Sequence, residues 1–179
     1  TVGQDAAERF KKGEEHLRRA LELSNTRQEI YYVLAFNLQG QGKADEAVRE
    51  MEKAVALNPH TAKARYYLAI NRALRGELKA AVSEIEKVRA GGWFYGFRPS
   101  EAREIIRVYQ AAGRGDLLPG LYREFLDAGY NREREVYVLL LRSLISERNE
   151  SEVIRWALEY RKAYPEFTKA MEDLIGLAK

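Results

Sequence analysis

Gly42-Lys43-Ala44-Asp45-Glu46-Ala47 and Gly76-Glu77-Leu78-Lys79-Ala80-Ala81 stand 34 residues apart, and that spacing decides how the rest of the chain is read. The same interval separates Ala20-Leu21-Glu22-Leu23 from Ala54-Val55-Ala56-Leu57, and again from Val88-Arg89-Ala90. Each glycine segment follows an apolar stretch, Tyr31 to Leu38 and then Tyr66 to Ala73. A fixed period of this length marks a supersecondary unit repeated along the chain. Within one period the apolar residues recur at helical spacing on either side of the glycine, which predicts a pair of helices joined by a turn.

Working outward, the first full unit spans 28–61 and carries Tyr31, Leu34, Ala35, Leu38, Gly42, Ala47, Met51, Ala54 and Pro59. The second, 62–98, carries Leu68, Ala69, Gly76, Ala81 and Ile85, with Trp93 where proline would fall. A degenerate third, 99–131, has Ile105, Ile106, Tyr109, Gly113, Leu118, Tyr122 and Phe125. The fourth, 132–165, returns to the pattern with Tyr137, Leu140, Leu141, Leu144, Val153, Ala157, Tyr160 and Pro165. Together these residues resemble the tetratricopeptide-repeat (TPR) family over roughly residues 28 to 165. The resemblance implies one all-α domain over 1–179, a right-handed superhelical solenoid of antiparallel helix pairs.

Elementary packing accounts for the pattern. Small residues at Ala35, Ala47, Ala54, Ala69 and Ala81 let two helices approach closely, and larger neighbours fill the gaps. Gly42 and Gly76 are expected to end the first helix of each pair in a left-handed conformation. Pro59 and Pro165 stop the second helix. Each pair leaves an apolar face that only the next pair covers, so repeats stack.

The ends are expected to be capped. Residues 4–23 read as one amphipathic helix, within an N-terminal cap of 4–27, with Ala6, Phe10, His16, Leu17, Ala20, Leu21 and Leu23 on the buried side. It aligns with the second helix of a repeat whose first helix is missing or shortened. Residues 166–179 form the closing cap, with Phe167, Ala170, Met171, Leu174 and Ile175 on one side. Residues 90–99, rich in Gly and aromatics, lengthen the third period by about three residues and read as an ordered loop.

Composition narrows the function. Thirty basic and 27 acidic side chains give a net charge of +3, too even for the concentrated basic face that nucleic acid requires. Cysteine is absent, which excludes disulfides, thiolate metal sites and thiol nucleophiles. No apolar run approaches the roughly 18 residues of a membrane span, so no direct membrane insertion is expected. The compartment stays open, with an extracytoplasmic setting slightly favoured by the lack of cysteine and of an initiator Met. A start at Thr1 fits a processed protein or an excised segment.

Residues suited to catalysis are sparse. His16 and His60, the two histidines, have no partner at ligand spacing. Glu84 and Glu86, and likewise Glu133 and Glu135, sit two apart and point to different helix faces. Gly91, Gly92 and Gly96 lack the strand and the Lys-Ser/Thr of a phosphate loop. Arg114-Gly115-Asp116 and Asn149-Glu150-Ser151 match short adhesion and glycosylation patterns, and chance explains such triplets. No enzyme activity, cofactor or metal is expected.

Binding is the expected role. The family resemblance implies that the first helix of each pair lines a concave groove, and its groove positions fall on Tyr32, Phe36, Tyr66, Ile70, Arg103, Arg107, Val138 and Arg142. Such a surface runs from aromatic to cationic and suits a protein or peptide segment that is apolar at one end and acidic at the other. Some of these aromatics would instead pack against a neighbouring helix. The Lys and Asn set of chaperone-tail-binding relatives is missing, and Asn37 and Asn71 are expected to hydrogen-bond within the stack. Trp93, Phe94, Tyr95 and Phe97 either plug the gap left by the irregular repeat or stay exposed as an interface loop. Two further readings stand beside a scaffold: a self-assembling filament subunit, homo-oligomeric through its ends, or the soluble tail of a larger envelope-biosynthesis membrane enzyme.

Overall fold

The computed structural model describes residues 2–91, 97–129 and 134–176. Among these, ordered structure is helical, without strands. The first helices of successive pairs begin at Gln28, Ala62, Pro99 and Arg134. The period is therefore regular across the first two units and longer where the aromatic loop intervenes. Two compact units result, Thr1–Trp93 and Phe94–Lys179, and the division falls inside that loop.

The first unit holds α1 (Val2–Leu23), α2 (Gln28–Gly40), α3 (Ala44–Leu57), α4 (Ala62–Leu74) and α5 (Leu78–Ala90). On α2 the residues at i, i+3, i+4 and i+7, Tyr31, Leu34, Ala35 and Leu38, are buried. They meet Ala47, Val48, Met51 and Ala54 of α3 in one core. The five small residues predicted at helix contacts are fully buried. Gly42 and Gly76 adopt φ of +74° and +86°, a conformation that costs a side-chain-bearing residue about 1 kcal/mol or more, and they close α2 and α4 as expected.

α1 packs on α2 through close approaches. A β-carbon on Gly13 would lie 2.5 Å from Asn37 Nδ2, and one on Gly40 would strike the Phe10 ring. Glu14 ties the helix down: its carboxylate accepts from Lys43 Nζ at 2.7 Å, Gln41 Nε2 at 2.9 Å and Arg18 Nε at 2.9 Å. The Lys43 hydrogen bond leads in holding its pKa down to about 2, with help from Gln41 and Arg18 against the effect of burial. Ala6, Phe10, Leu17, Ala20 and Leu21 are half-buried as predicted, but His16 and Leu23 are exposed. That corrects the expected buried stripe. With α2 to pack on, the contact face is narrower than one flanked by two helices, so its edge positions reach solvent.

Glu50 and Glu84, one period apart on α3 and α5, are buried. Glu84 accepts from Lys87 Nζ at 2.7 Å, Arg65 at 2.8 Å and Arg72 at 3.4 Å. Burial pushes its pKa up, but Lys87 and Arg65 outweigh that and leave it below the ordinary carboxylate value.

The second unit holds α6 (Pro99–Ala111), a 3₁₀ turn (Gly115–Leu117), α7 (Leu118–Asp127), α8 (Arg134–Ser146), α9 (Glu150–Ala163), a 3₁₀ turn (Pro165–Phe167) and α10 (Thr168–Gly176). Pro99 sits at the start of α6, and Glu101 accepts from the Arg98 backbone N–H at 2.7 Å as part of a capping box. Ile105, Ile106, Tyr109, Leu118, Tyr122 and Phe125 are all buried, so the degenerate third repeat keeps a packed pair. Gly113 takes the turn with φ +68°, whereas the fourth pair places Arg148 there with φ 56°. Around Tyr137 the rings of Trp156, Tyr160 and Tyr164 stack edge-on at 6.3, 5.8 and 6.0 Å. The expected closing helix is divided into the Pro165–Phe167 turn and α10. The side chains of Phe167, Ala170, Met171, Leu174 and Ile175 lie outside the described set.

Candidate functional site

In the first unit, α2 and α4 lie side by side and present the aromatic positions. The Tyr32 and Tyr67 rings meet at 5.1 Å, and Tyr67 packs on Tyr66 at 5.0 Å. Tyr32 is half-buried and its hydroxyl donates to Gln28 Oε1 at 3.2 Å. Burial, with Glu29 and Tyr67 nearby, pushes its pKa up to about 12. Phe36 is 74% exposed and Ile70 half-buried. Tyr66 is 2% exposed, which corrects its placement as an open groove residue: its ring is packed beneath Tyr67 with Lys63 Nζ 5.8 Å from its centre. Of the four expected groove residues in this unit Phe36 is thus the most exposed, and Tyr67, a position matched to the missing chaperone-tail clamp, contacts Tyr32.

Asn37 and Asn71 hydrogen-bond inside the stack. Asn37 Oδ1 accepts from Gln41 Nε2 at 2.8 Å. Asn71 accepts from Gln39 Nε2 at 2.9 Å and donates to the Tyr67 carbonyl at 2.8 Å, joining α2 to α4.

In the second unit, α6 and α8 enclose a cleft of about 160 Å³. Its apolar floor comes from Ala102, Ile106, Val136 and Leu139, and its rim from Arg103, Arg107, Gln110 and Glu135. The α6 contributors recur at 99, 102, 103, 106, 107 and 110, a single helical face. Arg103 and Arg107 are exposed there, one turn apart. Arg142 on α8 is exposed and Val138 half-buried, and neither belongs to the cleft lining. Glu135 and Leu139 were missed by position-by-position transfer from the repeat pattern. Their spacing of one helical turn along α8 was the available signal.

Phe97 is buried at 8% exposure, whereas Trp93, Phe94 and Tyr95 lie outside the described residues. Arg114 and Asp116 pair with each other through two hydrogen bonds of 2.9 Å in the turn before α7, so the triplet engages itself. Asn149 Oδ1 caps α9 by accepting from Glu152 N at 3.4 Å. His60 donates its backbone N–H to Asn58 Oδ1 at 3.1 Å within an inter-repeat turn. Among the described residues no three His, Asp or Glu side chains gather to hold a metal, and no helix is long and apolar enough to cross a membrane.

Neither a family model nor a curated protein sequence matches the chain. Solved structures do. MamA superposes with a TM-score of 0.64 at 16% identity, over 89% of this chain and 91% of that one. YrrB, described as a TPR protein with an unusual peptide-binding site, gives 0.60 at 17% identity, over 85% and 76%. PilF of Pseudomonas aeruginosa gives 0.59 at 14% identity, over 91% and 78%. With helix pairs at the observed spacing, these likenesses define the class: this is an all-α protein of TPR-solenoid fold.

Proposed function

We propose that the chain is a non-enzymatic protein–protein interaction module that holds a polypeptide segment on the faces of its first helices. The observation that carries this reading is the α6–α8 cleft, an apolar floor rimmed by the exposed residues Arg103 and Arg107. Its volume is about that of one large apolar side chain, and the arginines suit a carboxylate next to that anchor. Phe36, exposed in the first unit, is a separate apolar surface of that unit. Recognition of a segment combining acidic and apolar residues follows from this cleft. The YrrB description, a TPR protein with a peptide-binding site, supports peptide capture as a use of this fold.

Selection from a random peptide library on the purified chain tests the reading. Enriched peptides should combine Asp or Glu with Leu, Ile or Phe, and should lose affinity for Arg103→Glu/Arg107→Glu. Enrichment of basic peptides, or binding indifferent to the double reversal at low salt, would contradict it.

A further inference from the structure

The two walls of the α6–α8 cleft carry opposite charge. On α6 the charged lining residues are Arg103 and Arg107, and on α8 the charged lining residue is Glu135. All three are exposed, at the rim of the apolar floor. Arg134 precedes Glu135 but does not line the cleft, since consecutive helical positions point about 100° apart. Among the described residues, neither Arg107 nor Glu135 takes part in a hydrogen bond or ion pair within the chain.

Helix electrostatics accounts for one of these charges and not the other. Glu135 lies in the first turn of α8, where the helix dipole favours a carboxylate. That role needs a negative charge near the helix start and no place in a cleft wall. Arg107 lies before the last turn of α6, so the dipole does not explain it. Two unpaired charges of opposite sign thus face each other across an apolar opening.

The cleft, of about 160 Å³, admits one large apolar side chain. An extended segment turns alternate side chains to the same side, so the residues two before and two after the anchor face the cleft with it, each about 6–7 Å along the chain. When such a segment crosses the cleft, one of these residues meets the α6 wall and the other the α8 wall.

We infer that Glu135 is a specificity-determining residue, and that the cleft selects an extended segment with an acidic residue on one side of its apolar anchor and a basic residue on the other. This rests on the reading of the cleft as a peptide site. It adds the requirement for the base and the wall that each charge takes, acid toward α6 and base toward α8.

Fluorescence anisotropy at low salt tests it with three labelled peptides, Glu-Ala-Leu-Ala followed by Lys, Gln or Glu, each also made in reversed order. The wild-type chain should bind the better-oriented Lys peptide about two- to fivefold more tightly than its Gln counterpart, the range for an exposed ion pair, and the Glu peptide least. Glu135→Gln should erase the difference between Lys and Gln. Glu135→Arg should invert the order so that the Glu peptide leads, with unchanged circular dichroism. Equal affinity of the wild type for the Lys and Gln peptides would overturn the inference while leaving peptide capture in place. So would an order that survives both Glu135 variants with only the melting temperature lowered, the signature of a helix-end role. If no peptide binds the wild type at millimolar concentration, or binding ignores Arg103→Glu/Arg107→Glu, the underlying reading of the cleft fails and the inference with it.

Discussion

Replacing Glu84 with Gln removes the charge at the centre of the α4–α5 network while keeping its shape. The Glu84 side chain is 6% exposed, and its partners Arg65 and Arg72 are 18% and 20% exposed, whereas Lys87 is 50% exposed. Breaking a fully buried ion pair costs about 3–5 kcal/mol, and an exposed pair about 0.2–1 kcal/mol. With two of three partners largely shielded and one in solvent, Glu84→Gln should destabilise the first unit by about 2–3 kcal/mol at neutral pH. Glu8 is the control. It pairs with Lys12 at a similar 2.8 Å, but both side chains are about two-thirds exposed, so Glu8→Gln should cost under about 0.5 kcal/mol. Because the folded pKa of Glu84 is lowered from 4.5, its ionised form contributes stability above that value. The contribution is lost as pH falls through the folded pKa, so the gap between wild type and Glu84→Gln should narrow in acid. Urea unfolding followed by circular dichroism, with hydrogen exchange on α4 and α5, reads both effects. Equal costs for the two substitutions, or a gap that widens in acid, would refute the reasoning.

Other positions give independent checks. Ala47 is fully buried at the α2–α3 contact, so Ala47→Trp should cost about 1–3 kcal/mol or more through overpacking; thermal unfolding at the wild-type temperature would show that no close contact exists there. Arg148 occupies a left-handed conformation, φ 56°, where three earlier turns use glycine. Arg148→Gly should therefore stabilise the second unit by up to about 1 kcal/mol, and a loss of stability in urea would show that the arginine side chain matters more than its backbone strain.

Much of the fold was legible because its determinants are local or periodic. Gly42, Gly76 and Gly113 announce turns through a conformation that disfavours side chains, and Ala47 and Ala54 announce close helix contacts by size. The insertion near residues 90–99 was visible as a break in an otherwise regular interval. The site was less legible. Transferring the period picks out Tyr66, yet adjacent residues on a helix point about 100° apart, and only packing decides which of Tyr66 and Tyr67 reaches across to Tyr32. The burial of Glu50 and Glu84 was not legible, because a buried carboxylate and a solvated one look alike until their basic partners are placed. His16 and Leu23 were assigned inward on amphipathic spacing, but the width of a buried stripe depends on how many helices cover it. The α6–α8 cleft needs residues from two helices, and no single repeat position marks Glu135 or Leu139 as part of it.

The most direct measurement is an amide chemical-shift titration of the labelled chain with a short peptide joining Leu or Phe to adjacent Glu residues. Saturable shifts should gather on 99–110 of α6 and 134–142 of α8, and the Arg103→Glu/Arg107→Glu chain should lose them. Shifts confined to other helices, or α6 and α8 shifts that survive the double reversal, would contradict peptide capture at the arginine-rimmed cleft.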